Sequence, residues 1–266
     1  MVEGSSIFGD LVRSIKPYLT EVVFVGGWVH ALYIIECDGD SRRIVRTSDI
    51  DLSLPQRLEL GARDSLKELI SRAGFEIQPI DGAGEVLEIF RDDVDLDLLA
   101  EAAGPLESVS IEGQPELTVF GYPHQNFLQE NVRWMEVGPD IDPLMDPPVS
   151  ILVPELAAYA IGKLLSSARR TNGDKKAKDL VYLDGLLARE PLRTSIEESM
   201  PNLLERYPAE GRLARAYLES VIADPRAQEA VSNQIIMASG FGMEDSTPVQ
   251  AQVLARFRRF LVENLG

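Results

Sequence analysis

The sequence predicts an α+β fold, a mixed sheet with flanking helices followed by a C-terminal helical domain. Three observations carry this. Short β-rich apolar runs fill the first half of the chain, the apolar spacing from Pro154 onward is helical, and a proline-rich stretch (Asp140-Ile141-Asp142-Pro143, then Asp146-Pro147-Pro148) separates them. Strands first and helices after is the order of an α+β unit joined to a helical one. The expected division is 1–145 and 146–266.

The elements follow in order. Leu11, Ile15, Tyr18 and Leu19 give a short amphipathic helix that Pro17 should kink or end. Glu21 to Val25 is a β-rich run closed by Gly26-Gly27 and reads as a buried strand. Trp28 to Glu36 reads as a helix that starts from the glycines, and Asp38-Gly39-Asp40-Ser41 as a turn. Ile44 to Leu54 holds a second strand, stopped by Pro55. Leu58 to Ala73 reads as a helix ended by Gly74. Phe75 to Ile80 and Val86 to Phe90 are strands around the turn Asp81-Gly82-Ala83-Gly84, Val94 to Leu98 alternates apolar residues with Asp, and Glu116 to Phe120 is one more strand. Six helices are expected beyond the boundary: Pro154–Arg169, Lys175–Ala188, Pro191–Met200, Gly211–Ile222, Pro225–Met237 and Pro248–Leu265.

A chain of 266 residues is long enough for a substantial core. With 45% hydrophobic and 26% charged residues it has the composition of a globular protein. No apolar run reaches the roughly 18 residues of a membrane span, and Met1 to Asp10 lacks a basic start followed by an apolar stretch. A single cysteine, Cys37, has no partner for an internal disulfide. The expectation is a cytoplasmic protein. Asp plus Glu number 43 against 26 Lys plus Arg, a formal charge of -17. Such a surface repels nucleic acid at long range, so an RNA substrate would require a local basic patch.

The chemistry lies in the carboxylates. Asp49 and Asp51 are two apart, so on a strand they project to one side, about 6.6 Å apart at Cα. Ile50 and Leu52 point the other way. Two carboxylates on one face suit a pair of divalent cations about 3.5–4 Å apart, with a third carboxylate from a neighbouring strand. Asp95 and Asp97 of Val94-Asp95-Leu96-Asp97-Leu98 both qualify, and they also share a face. An isolated Asp-x-Asp commonly sits on a solvated sheet face. Two such strands after a Gly-Gly junction are not common, because four Asp at close quarters repel one another unless cations relieve them. Gly26-Gly27 joins a strand to a helix N-terminus, where backbone N–H groups and the positive dipole end suit phosphate.

Phe24-Val25-Gly26-Gly27-Trp28-Val29-His30-Ala31-Leu32 followed by Arg46-Thr47-Ser48-Asp49-Ile50-Asp51-Leu52 resembles the DNA polymerase β-type nucleotidyltransferases. Within them it looks most like the bacterial stand-alone group that includes toxin–antitoxin nucleotidyltransferases. A second block, Lys163-Leu164-Leu165, Arg169-Arg170 and Lys176-Ala177-Lys178-Asp179-Leu180, resembles an uncharacterised bacterial branch of the same proteins. The resemblance implies that Asp49 and Asp51 hold Mg²⁺ or Mn²⁺ against a nucleoside triphosphate. Asp95 (or Asp97) then binds a second ion and helps deprotonate the attacking hydroxyl, and Gly26, Gly27 and Arg46 contact phosphate. Nucleoside monophosphate passes to a hydroxyl acceptor and pyrophosphate leaves. The toxin-like version implies tRNA as acceptor and an antitoxin partner. An aminoglycoside-type small molecule, or a silent member that binds nucleotide or a partner protein, are the alternatives. Gly27 stands where many members carry Ser, and Arg46 is adjacent to Thr47 rather than two residues before it. About 80 C-terminal residues match nothing in the resemblance.

Lys163, Arg169, Arg170, Lys175, Lys176 and Lys178 form the densest basic segment of this acidic chain. It reads either as a cationic patch for triphosphate or RNA, with Lys163, Arg169 and Arg170 as contacts, or as a solvated surface around Asn172-Gly173-Asp174. Asp179 is expected to pair with Lys175 at i, i+4 spacing. Trp28 reads as a core residue before a base-stacking one, and His30 as a packed or surface histidine. His124 has no metal-ligand spacing partner, and Cys37 has no nucleophile context.

Overall fold

The computed structural model describes residues 5–39, 49–80, 86–104, 107–239 and 246–266. Arg46-Thr47-Ser48, the start of the predicted Ile44–Leu54 strand, Asp40-Ser41 and the Asp81–Gly84 turn lie outside the described residues. The chain is α+β, a mixed sheet with helices followed by a helical unit. Contacts divide it into Met1–Glu155 and Leu156–Gly266. The sequence placed the division after residue 145, but Val149–Pro154 is an interior strand of the sheet.

In the first unit the helix α1 is Ser5–Ser14, and a 3-10 turn at Lys16–Tyr18 carries Pro17. The predicted helix Leu11–Leu19 is therefore displaced toward the N-terminus, because Pro17 has no N–H to continue it. The strand β1, Val23–Val25, leads into the helix α2, Gly26–Asp38. Residues Gly27 to Ile35 of α2 are all buried, which fits a helix apolar on every side. It ends at Gly39, φ 63°, a left-handed C-cap.

The strand β2 is Asp49–Ser53, and the helix α3 is Leu66–Arg72. The sequence put the start of this helix at Leu58. It begins instead at a capping box, in which the Ser65 hydroxyl accepts from the Glu68 amide and Glu68 reaches back to the Ser65 amide. Leu58 pairs with a loop, its N–H donating to Glu112 O at 2.8 Å. The buried Gln114 then ties these pieces together: its amide group donates to Tyr18 Oη and Leu58 O, and its oxygen accepts from Leu66 N.

The remaining strands are β3 (Glu76–Pro79), β4 (Leu87–Arg91), β5 (Val94–Glu101), β6 (Glu107–Ser110), β7 (Thr118–Tyr122), β8 (Val132–Val137) and β9 (Val149–Pro154), with the helix α4 at Gln125–Glu130. The sheet order is β3-β4-β5-β2-β1-β9-β8, and β7 pairs with β5 and β6 beside this path. The β2–β5 and β1–β9 pairs are parallel, while β1–β2, β3–β4, β4–β5 and β8–β9 are antiparallel. β6, β8, β9 and α4 have no counterpart in the sequence-based expectation.

The second unit holds six described helices: α5 (Leu156–Arg169), α6 (Gly173–Leu187), α7 (Glu190–Arg206), α8 (Pro208–Ala223), α9 (Pro225–Ser239) and α10 (Ser246–Asn264). Their order matches the sequence reading. The predicted stop of α7 before Pro201 is a correction. The helix passes through this proline, because Met200 and Leu203 on either side of it are buried. Asn172 caps α6 by accepting from the Asp174 and Lys175 amides. Asp184 of α6 receives two bonds from Arg256 of α10, at 2.7 and 2.9 Å.

Candidate active site

The strand register builds the site. β1 runs antiparallel to β2, with Val25 opposite Asp51. β2 runs parallel to β5, with Asp49 opposite Asp95 and Asp51 opposite Asp97. Paired residues project to the same side of a sheet, so the four carboxylates share one face in two rows. Neighbouring strands lie about 4.8 Å apart and the rise over two residues is about 6.6 Å, which puts the farthest pair roughly 8 Å apart at Cα. β1 ends where β2 and β5 begin, so the first turn of α2 and all four Asp meet at one end of the sheet.

The two faces differ in chemistry. On the face away from the carboxylates Phe24, Ile50, Leu52, Leu96 and Leu98 are buried. Phe8 of α1 lies 5.4 Å from Phe24 and stacks on Trp28 at 4.4 Å. Trp28 is 1% exposed, which gives it a core role and removes it as a base-stacking surface. On the carboxylate face Val23, Val25 and Leu152 form an apolar cluster, with Leu99, Leu128 and Val132 against it. α4 covers this end, and Gln129 donates to Ser53 Oγ at 2.9 Å. The other end of the same face carries the Asp side chains: Asp49 and Asp51 are half-buried, Asp95 and Asp97 exposed.

Gly26 is the tightest element of the site. Its φ is +72°, and a Cβ on it would overlap the Asp51 carboxylate. Only glycine permits both the left-handed backbone and the contact. No side chain caps α2 at Val25. Gly26→Ala is therefore expected to cost about 1–3 kcal/mol. Gly39→Ala also has positive φ but nothing within 4 Å of its Cβ, and should cost only about 1 kcal/mol. Urea denaturation of both variants checks this, and equal losses would mean that the Asp51 contact has no energetic weight.

Among the described residues no group of three or more His, Cys, Asp or Glu side chains converges as a ready-made metal cage. His30 is buried on α2, and Cys37 is half-buried.

The basic segment lies in the second unit and is organised around Asp179. Lys163 Nζ donates to Asp179 Oδ1 at 3.0 Å, Arg170 Nε to Oδ2 at 2.7 Å, and Ser166 Oγ to Oδ2 at 3.2 Å. Lys163 is buried, with Nζ 5.4 Å from the Tyr159 ring and 4.9 Å from that of Tyr182. Burial works to raise the Asp179 pKa, but Lys163 and Arg170 outweigh it and hold the carboxyl below 3.8. The expected Asp179–Lys175 pair is replaced by this hub, because Asp179 is buried while Lys175 is exposed. Lys163 and Arg170 thus serve a buried carboxylate. Arg169 is exposed. The sequence signal was that Asp179 opens the apolar run Leu180 to Leu183 of its helix, where a buried carboxylate has to be paired.

The chain matches no family model and no curated protein. A solved structure similar to it is that of an antigenic nucleotidyltransferase-like protein from Paracoccidioides brasiliensis. The likeness spans 81% of this chain and 94% of that one, with 14% identity and a TM-score of 0.36. At this identity and TM-score the likeness assigns neither activity nor residues.

Proposed function

We propose that the Asp49–Asp51–Asp95–Asp97 face is the centre of a nucleotidyltransferase. It moves a nucleoside monophosphate from a nucleoside triphosphate to a hydroxyl acceptor and releases pyrophosphate. The observation that carries the reading is the register: two aligned Asp rows at the end of the sheet where α2 starts, with Gly26 against Asp51. The donor set is all carboxylate oxygen, which suits hard cations such as Mg²⁺ or Mn²⁺ and not softer metals. In that chemistry the donor type suits a divalent ion, which Asp49, Asp51 and Asp95 would hold, with Asp97 alongside, although no three of these side chains converge in the described arrangement. When bound, such an ion neutralises charge on the phosphate oxygens.

The remaining steps belong to the chain's own groups. The amides of Gly26 and Gly27 and the positive end of α2 bind the β- and γ-phosphates. The β5 carboxylate, Asp95 or Asp97, takes the proton of the acceptor hydroxyl. The acceptor oxygen bonds to the α-phosphorus, the bond from that phosphorus to the β-phosphate bridge breaks, and pyrophosphate leaves with the electron pair. The apolar cluster around Val25 and Leu152 keeps water from one flank of the site.

Two features favour a small amine-bearing acceptor over tRNA. The chain carries a formal charge of -17, and two cations of its basic segment are bound to Asp179. The toxin-like version, with tRNA and an antitoxin partner, requires a basic surface that these pairings diminish.

The test is incubation with each α-labelled nucleoside triphosphate, Mg²⁺ or Mn²⁺, and separate pools of tRNA, protein and hydroxylated small molecules including aminoglycosides. Label should enter one pool. Label in the tRNA pool alone would reverse the acceptor assignment, and no transfer to any pool by protein that binds nucleotide would leave a binding protein in place of an enzyme.

A further inference from the structure

On the face of the first unit opposite the carboxylates, α1, α3 and β4 line an open surface depression of about 510 Å³. Its wall contains Arg13, Arg72 and Arg91, with Asp10, Ser14 and Gly74 between them. Arg91 faces this side because it pairs with Val94, whose neighbours Leu96 and Leu98 lie on the buried apolar face. Three guanidinium groups meet there in a chain of formal charge -17, each ion-paired within the fold: Arg13 with Asp10 and Asp142, Arg91 with Asp10, and Arg72 with Asp64. We infer that this depression is a binding site for a phosphate-bearing small molecule, separate from the nucleotidyl-transfer face.

The arginines are held in place before any ligand arrives. Arg13 Nη1 donates to the buried Asp142 at 3.0 Å, and its Nη2 to Asp10 at 2.5 Å. Arg91 Nη1 donates to Asp10 Oδ2 at 2.7 Å and to Ala73 O, at the end of α3, at 2.6 Å. Arg72 Nη1 donates to Asp64 at 2.5 Å. These bonds fix the planes of the guanidiniums and use part of their five donors each. Among the described residues Arg91 Nε and Nη2 make no hydrogen bond, and they are the edge with which arginine grips an oxyanion in two-point fashion. Gly74 lies beside that edge: a Cβ there would be in ordinary contact with it, 3.4 Å from Arg91 Nε and 3.5 Å from Cζ. Its φ of +86° excludes ordinary side chains from the position.

Asp10 bridges Arg13 and Arg91 where an added oxyanion would sit. Burial works to raise its pKa, but Arg91 and Arg13 lower it overall, so the carboxylate remains a charged stand-in. Asp10 is about a third exposed and in this proposal rotates away to admit the anion, while the buried Asp142 keeps Arg13 in place. A dianionic phosphate matches three guanidiniums better than a carboxylate does, since it offers an oxygen to each.

The test is calorimetric titration of the full chain with inorganic phosphate at constant ionic strength, so that screening is held fixed. The wild-type protein should show one saturable site. Arg91→Gln and Arg72→Gln should each weaken it about tenfold or more, and Asp10→Asn should tighten it by removing the competing carboxylate. Asp51→Asn should bind as the wild type does, because the sheet lies between the two sites. Arg72 is largely exposed, so its variant gives the readout even if Arg91→Gln fails to fold. Absence of saturable binding by the wild type, full affinity in both arginine variants, or weaker binding by Asp10→Asn would overturn the inference. Loss of phosphate binding in Asp51→Asn would place the anion on the carboxylate face instead.

Discussion

Replacing Asp49 and Asp51 by alanine should lower nucleotidyl transfer by about 10³-fold or more while the protein stays folded. The size follows from what the pair does in the proposed reaction. Both carboxylates face the end of the sheet where α2 begins, and Asp51 is the residue against which Gly26 packs. Removing them takes away the donors for the divalent ion and the electrostatic frame of the triphosphate together. Because they act as a unit, either single substitution should cost nearly as much as the double one. Folding should survive, since Ile50 and Leu52 carry the core side of this strand and remain. Rates of label transfer at saturating nucleotide, with circular dichroism as the control, check this. A double variant within tenfold of wild type would place the chemistry elsewhere.

The second large effect concerns stability. Asp179→Ala should cost about 3–5 kcal/mol, because it leaves the buried Lys163 ammonium without its carboxylate. The thermal midpoint should fall by roughly 10 °C or more. Lys163→Met in the same chain should recover much of the loss, since the penalty is a stranded charge and not a cavity. A double variant no more stable than Asp179→Ala would contradict this. The folded carboxyl lies below its ordinary 3.8, so its contribution is present above that value and is lost as pH falls toward the folded pKa. Asp184 works in the opposite sense. Burial raises its pKa against the pull of Arg256, so its contribution is lost as pH rises from 3.8 through the folded value. Acid unfolding of Asp179→Asn should therefore lack part of the low-pH loss seen in the wild type.

Much of the fold was legible because its local signals agree. The Glu21–Val25 run, the glycine junction and the alternation at Val94–Leu98 each specify one element, and the helical second half keeps its period throughout. β8 and β9 were missed for a physical reason. They flank a proline-rich stretch that reads as a linker, and β9 runs directly into the helical region, so its apolar residues Ile151 to Val153 look like the start of a helix. β1 and β9 pair across more than a hundred residues of sequence, and no local pattern announces that contact.

For the site, spacing was enough to place Asp49, Asp51, Asp95 and Asp97 on shared faces, but not to say which lie side by side. The parallel register of β2 and β5 supplies that. Asp179 was misassigned because i, i+4 spacing counts only neighbours on one helix, and its partners Lys163 and Arg170 are not on α6. The arginine depression left no trace in the sequence. Arg13, Arg72 and Arg91 are far apart in the chain, and only the packing of α1 and α3 on β4 joins them.

If the two Asp rows bind a nucleoside triphosphate together with a divalent cation, nucleotide binding must depend on both. The most direct measurement is calorimetric titration of nucleoside triphosphates into the wild-type chain and Asp51→Asn, each with Mg²⁺ and with a chelator. Binding to the wild type should require Mg²⁺ and be lost in Asp51→Asn. Nucleotide binding of equal strength with chelator present, or in the Asp51→Asn chain, would contradict it.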